Sequence, residues 1–156
     1  MARYEHVIWK ERAVQIPTLN DEGLKELLSR PVVAKIATTS AKGEVRITPV
    51  WFGAEDGAFV FNTFEDSGLV RNLKVNPKCS LLIDSVEWPY HGVHYWGTAT
   101  VEGPEDDAEG IGTLYAGYVG GEEAAREYAK QLIGWGKRVY VRFRPERSTT
   151  WDFRGG

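Results

Sequence analysis

Residues 46–77, RITPVWFGAEDGAFVFNTFEDSGLVRNLKVNP, decide the fold. They read as a strand, a tight turn, a second strand and a short helix. The turn, AEDG, closes on Asp56-Gly57, a pair that readily takes the backbone chirality a hairpin needs. Ser67 stands where a helix cap belongs, and the helix of 68–75 stops before Pro77, because a residue preceding proline is pushed out of the helical region. Polar side chains on the strands and at the helix start form a layout suited to a planar, phosphorylated ligand.

Upstream, a helix is expected over 20–29. Asp21 and Glu22 suit its positive start, Leu24, Leu27 and Leu28 form an apolar stripe, and Pro31 ends it. Strands follow at 32–39 and 44–52, joined by the turn SAKG, then at 58–63, 78–86, 92–102, 138–144 and 148–153. Helices are expected at 105–117 and at 122–133, the second closed by Gly134. Residues 1–17 read as an extended arm ending at Pro17. The pattern predicts a mostly β protein with peripheral helices. Its antiparallel, Greek-key-like sheet closes into a barrel, and residues 1–156 form a single domain.

Composition excludes several classes. A net charge of −3 over 156 residues argues against a nucleic-acid partner, which needs a basic excess. One cysteine, Cys79, allows neither an internal disulfide nor a cysteine-based zinc site. No stretch has the apolar length of a signal peptide or a membrane span, so the expected location is the cytoplasm, with no membrane partner. No metal site is expected. His91 and His94, three apart in a strand, point to opposite faces, His6 lies in the arm, and no HExxH exists. There is also no GxGxxG loop after a strand and no GxSxG elbow.

Several residues could carry binding. On the strand of 44–52, Val45, Ile47, Pro49 and Trp51 share one face, which reads as core-like; Arg46, Thr48, Val50 and Phe52 share the other. Pro49 cannot donate to a ladder, so this strand is expected to have a free edge. Arg46 and Thr48 are then either a solvated edge pair or ligand contacts. Asn62 and Thr63 end the next strand, and Ser67 opens a helix whose free N–H groups favour an anion, with Arg71 one turn further on. Arg138, Tyr140, Arg142 and Arg144 share a strand face, which is solvated, a basic lining for an anionic ligand, or a dimer contact.

Three stretches, VAKIATTSAKGEVRITPVWF, FVFNTFEDSGLVRNLKVNPKCSLLID and GVHYWGTATVEG, together with the closing RFRPERSTTWDFRG, resemble the pyridoxamine-5'-phosphate-oxidase-like split β-barrel proteins, the flavin and deazaflavin oxidoreductase group. The resemblance implies a six- or seven-stranded split barrel, usually a homodimer, with cofactor at the subunit interface. It implies that Arg46, Ile47, Thr48, Val50 and Trp51 lie along a flavin ring and ribityl chain, and that Asn62, Thr63 and Ser67 lie near its phosphate. Trp151 and Arg154 would reach toward the partner's cofactor. Two departures stand out. Trp51 occupies the place of a substrate-contacting lysine, which argues against pyridoxamine phosphate as substrate. Gly68 and Leu69 occupy the place of a basic pair after the serine, so Arg71, or Arg142 and Arg144, would have to supply that charge.

The implied function is an FMN-dependent oxidoreductase acting on a small molecule that stacks near Trp51, Trp88 or Trp96. The alternatives are a deazaflavin-dependent reductase on the same barrel, and a non-catalytic flavin- or haem-binding protein, with His91 or His94 as haem ligand.

Overall fold

In the computed structural model, residues 16–155 are described. The expected arm and His6 therefore lie outside the described residues, except for Ile16 and Pro17. The elements are α1 (Asp21–Ser29), β1 (Ala34–Thr39), β2 (Val45–Val50), β3 (Gly53–Glu55), β4 (Ala58–Phe64), α2 (Gly68–Val75), β5 (Lys78–Asp84), β6 (His91–Glu102), α3 (Ala108–Val119), α4 (Glu122–Trp135) and β7 (Arg138–Asp152).

The strands form one seven-stranded sheet in the order β2-β1-β5-β6-β7-β4-β3. All its ladders are antiparallel. β2 and β3 are the two edges of this sheet, yet only Trp51 and Phe52 separate them in the chain. So short a link can join opposite edges only if the sheet curls until they meet. The result is a barrel split along one seam, as the sequence implied. Tyr118 of α3 pins the seam: its hydroxyl accepts from Phe52 N at 3.1 Å and lies 3.0 Å from Val32 O.

The barrel interior is filled from every side, by Ile36 of β1, Phe59 and Phe61 of β4, Leu81 and Ile83 of β5, Val93 of β6, and Val141 and Phe143 of β7. Phe61 and Phe143 have no exposed surface, and such burial stabilises by about 1.5–3 kcal/mol per side chain. α2 closes one end with Leu69 and Leu73. A second apolar cluster, around Ile111, Tyr115, Ala125, Ala129 and Leu132, glues α3 to α4 and packs against Trp51 and Phe64. The Ser67 cap stands where the sequence puts it, but Gly134, expected to close the last helix, lies inside α4, which runs on to Trp135. Asn20 Oδ1 accepts from Gly23 N at 2.7 Å, Ser67 Oγ from Val70 N at 3.2 Å, and Asp107 Oδ1 from Gly110 N at 2.9 Å.

Three further expectations need correcting. First, the faces of β2 are reversed. Val45 and Ile47 are 69% and 68% exposed, whereas Val50 and Phe52 are 8% and 5% exposed. Alternation gives two faces but not which one meets the core, and here the inward face is the one that begins with polar residues. Second, the strands expected at 138–144 and 148–153 are one 15-residue strand. Pro145 does not break it, because it faces Gly97 at a bulge of β6. A Cβ at Gly97 would sit 2.1 Å from Arg144 O, so only glycine lets the two backbones approach there. Third, residues 53–55 form β3, an edge strand folded back by Asp56 (φ 50°) and Gly57 (φ 74°).

Candidate functional site

A cavity of about 390 Å³ opens along the barrel's seam. One wall comes from Val33 and from Thr48–Trp51, and the opposite wall from Asn62, Thr63 and Phe64. Tyr115, Tyr128 and Leu132 of the helical hairpin roof it, and Arg138 lies at its base. The seam thus brings together Thr48, Val50, Trp51, Asn62 and Thr63, all singled out in the sequence.

Aromatic order gives this cavity its shape. Trp51 stacks on Tyr118, with centroids 4.9 Å apart and planes 12° apart, and meets Tyr115 edge-on at 4.9 Å. Burial pushes the phenols of Tyr115 and Tyr118 up from their ordinary pKa, so both stay protonated, each giving its one proton to a backbone carbonyl, Asn62 O and Val32 O.

The base of the cavity is polar and buried. Asn62 and Arg138 are 6% and 3% exposed. Arg138 Nε donates to Asn62 Oδ1 at 2.7 Å, and its Nη2 to the Tyr115 hydroxyl at 3.4 Å. That hydroxyl donates in turn to Asn62 O at 3.2 Å. The guanidinium also lies 4.1 Å over the Phe64 ring. Arginine only donates, so it fixes Asn62 with its oxygen toward the guanidinium and its nitrogen away. Asn62 Nδ2 is buried and has no hydrogen-bond partner.

The other predicted residues divide. Arg46 is exposed on edge strand β2, but its guanidinium lies against the start of α2, where a Cβ at Gly68 would stand 2.8 Å from Arg46 Cζ. Gly68, which replaces a basic residue in the family's pattern, thus makes room for a charge arriving from β2. Arg71 is exposed and donates from Nη1 to Asp66 O at 2.9 Å. Ile47 and Trp151 meet elsewhere, in a hollow of about 320 Å³ on the outer face of the sheet with Lys35, Leu82 and His94. Arg154 pairs with Asp152 at 2.8 Å and Glu26 at 3.7 Å.

Of the readings left open for the arginines of β7, one shared basic lining does not hold. Arg142 is held by Glu55 and Glu102 at 3.1 and 3.0 Å, which neutralise it, while Arg138 is buried. Of the three tryptophans considered for stacking, Trp51 lines the cavity. Trp88 is 73% exposed against Tyr90. Trp96 is in contact with His94 and has the Arg147 guanidinium 4.0 Å over its ring. His91 is buried, and no cluster of metal-ligating side chains exists among the described residues.

Sequence reasoning missed Tyr115 and Tyr128, and named Arg138 only as one of several arginines on a strand face. The helix that carries Tyr115 is expected from the sequence, but nothing local aims Tyr115 at the seam. Nothing in the alternation of β7 separates Arg138 from Arg142 and Arg144; only the pairing of Arg138 with Phe64 and of Asn62 with Tyr140 puts the arginine beside Asn62.

A split antiparallel barrel with a ligand-sized cavity along its seam defines the class. The chain belongs to the pyridoxamine 5'-phosphate oxidase family, whose model matches residues 21–152. Among solved structures it is similar to the conserved hypothetical protein Rv2991 of Mycobacterium tuberculosis, with a TM-score of 0.74 and 22% identity over 90% of this chain and 89% of that one. It is also similar to an F420 reductase, with a TM-score of 0.60 and 20% identity over 80% of this chain and 94% of that one. The haem storage protein HutZ of Vibrio cholerae gives a TM-score of 0.67 and 17% identity over 85% of this chain and 94% of that one. At these identities the likeness speaks for the fold. No curated protein matches the chain by sequence.

Proposed function

We propose that this chain is a flavin-dependent oxidoreductase that binds FMN at the seam of its barrel and acts on a small molecule other than pyridoxamine phosphate. The observation that carries this reading is the cavity itself, where Thr48, Val50, Trp51, Asn62 and Thr63 converge between aromatic walls and a buried, unpartnered donor waits at Asn62 Nδ2. That combination fits a flat ring edged with acceptors. A bound flavin supplies the redox chemistry, and the protein binds it, orients it and tunes it.

The chain's own residues then have separate tasks. Thr48 and Asn62 offer hydrogen bonds from facing walls. Trp51, held by Tyr118 and Tyr115, presents an apolar surface and excludes water from the seam. Arg46, Ser67 and the first amides of α2 hold the phosphate, with Arg71 nearby. Arg46 thereby takes over the charge of the missing basic pair.

Residues 1–156 are read as one domain working as a homodimer. The support is an edge strand, β2, that shows Val45 and Ile47 to solvent next to the hollow around Trp151. In that arrangement Trp151 and Ile47 belong to the subunit contact and reach the cofactor only across it. No helix among the described residues is long and apolar enough to cross a membrane.

A deazaflavin is the second reading. Arg46 and Arg71 are exposed and form no ion pair with a carboxylate among the described residues, which leaves charge for an acidic cofactor tail. An absorption spectrum of the purified protein, followed by FMN and deazaflavin titrations, tests both. Flavin bands or saturable FMN uptake supports the first reading, and uptake of deazaflavin alone the second. Uptake of neither removes both.

A further inference from the structure

Arg138 is a cation buried to 97% at the base of the seam cavity, yet no carboxylate pairs with it among the described residues. The contrast with Arg142 on the same strand is direct, for that guanidinium, nearer the surface, holds two glutamates. Buried charges are normally paired, because leaving water is costly for an ion. The neighbours of Arg138 do not repay that cost in charge. They are an amide oxygen, a phenol kept neutral by burial, and an aromatic face.

The second observation is independent. Asn62 Nδ2 is buried and unpartnered, and its orientation is forced by Arg138. The base of the cavity therefore presents donors from two side chains, one of them charged, with its one amide acceptor already used. Such a set asks for an oxygen acceptor carrying negative charge.

We propose that Arg138 and Asn62 form an anion-recognition floor, and that the group bound in this cavity bears a carboxylate or phosphate against them. The proposal rests on the cavity being a binding site, as read above, but not on the ligand being a flavin. The anion has two possible sources: an acidic group on the substrate, with the cofactor's phosphate at Ser67 as read above, or that phosphate itself, in which case the reading at Ser67 fails.

Asn62→Asp is the discriminating change. It keeps the shape of the side chain and sets an internal carboxylate against Arg138 Nε, which neutralises the floor without emptying it. Arg138→Ala would leave a buried hole and mix binding with folding, whereas the melting temperature of Asn62→Asp is expected to hold or rise. Equilibrium binding is measured on the wild type and on Asn62→Asp with two probe pairs, FMN against riboflavin and benzoate against benzamide.

The expected result is a preference for the anion in at least one pair that drops by about tenfold or more in Asn62→Asp, the scale of one charge-assisted hydrogen bond. The pair that shows it names the source. No preference in either pair overturns the proposal without any variant. If no preference in either pair weakens in Asn62→Asp, the proposal is also overturned, since every anion then sits elsewhere, as the phosphate would at Ser67. If neither flavin binds but benzoate does so in an Asn62-dependent way, the flavin reading fails and this one stands. If both flavins bind and neither pair responds to the variant, the reverse holds.

Discussion

Gly68→Ala should move stability and cofactor affinity in opposite directions. Gly68 is the first residue of α2, just after the Ser67 cap, and glycine is a poor helix former because it loses the most backbone entropy on folding. Alanine at a compatible helical position stabilises by about 0.4–1 kcal/mol. For a chain of this size that raises the melting temperature by roughly 1–4 °C. The added Cβ would stand 2.8 Å from both Cζ and Nε of Arg46, so the guanidinium must leave the helix start. That movement costs the fold little, since the clash is with the far end of a flexible, exposed side chain. If Arg46 holds the phosphate, it costs FMN a charge-assisted hydrogen bond of about 1.5–3 kcal/mol, or roughly ten- to a hundredfold in affinity. Thermal unfolding of the apoprotein and fluorescence titration with FMN read the two effects separately. A variant that melts higher and still binds FMN as tightly as the wild type refutes Arg46 as the phosphate's partner. One that melts several degrees lower refutes the view that Arg46 sits there at no structural cost.

Four further outcomes are expected. Gly97→Ala should destabilise by about 1–3 kcal/mol or more, as for other forced overpacking, because its Cβ would lie 2.1 Å from the backbone oxygen of Arg144; denaturant unfolding checks this. Ile47→Glu should leave monomer stability nearly unchanged, since Ile47 is 68% exposed, but should shift sedimentation toward the monomer; an unchanged oligomer would remove β2 from the subunit contact. Asp152 is held down to about 2, first by its hydrogen bond from Arg154, so its ionised form favours the folded state above the unfolded carboxyl value; the stability advantage of wild type over Asp152→Asn should be full at neutral pH and fade as pH falls from about 4 toward 2. Burial pushes the Cys79 thiol up to about 12, so its alkylation by iodoacetamide at pH 8 should be far slower than that of free cysteine.

Much of the fold was legible because local signals agreed with one another. Asp56-Gly57, the Ser67 cap and Pro77 mark boundaries that depend only on neighbouring residues, and the structure has its turns and helix ends there. The faces of β2 were not legible. Val45 and Ile47 are apolar, and nothing local tells a core face from one reserved for another surface; the difference lies in what packs on the strand. The site was legible on its β side and hidden on its helical side. Thr48, Trp51, Asn62 and Thr63 fall within one continuous stretch, so their convergence follows from a hairpin-like path. Arg138 and Tyr115 come from far along the chain, and their arrival beside Asn62 depends on β4 pairing with β7 and on where the α3–α4 hairpin docks.

The pairing of β4 with β7 has a consequence for how the chain is made. During synthesis β3 and β4 emerge well before β7, the strand that covers β4. Until then Phe59 and Phe61 have no partner for Phe143 and Val141, and β4 keeps an open edge next to an apolar face. Pairings between segments so distant in sequence close slowly, and such edges invite association with other chains. A product truncated within β7 would therefore be expected to aggregate rather than persist as a partial barrel, even though every residue of its amino-terminal half were intact.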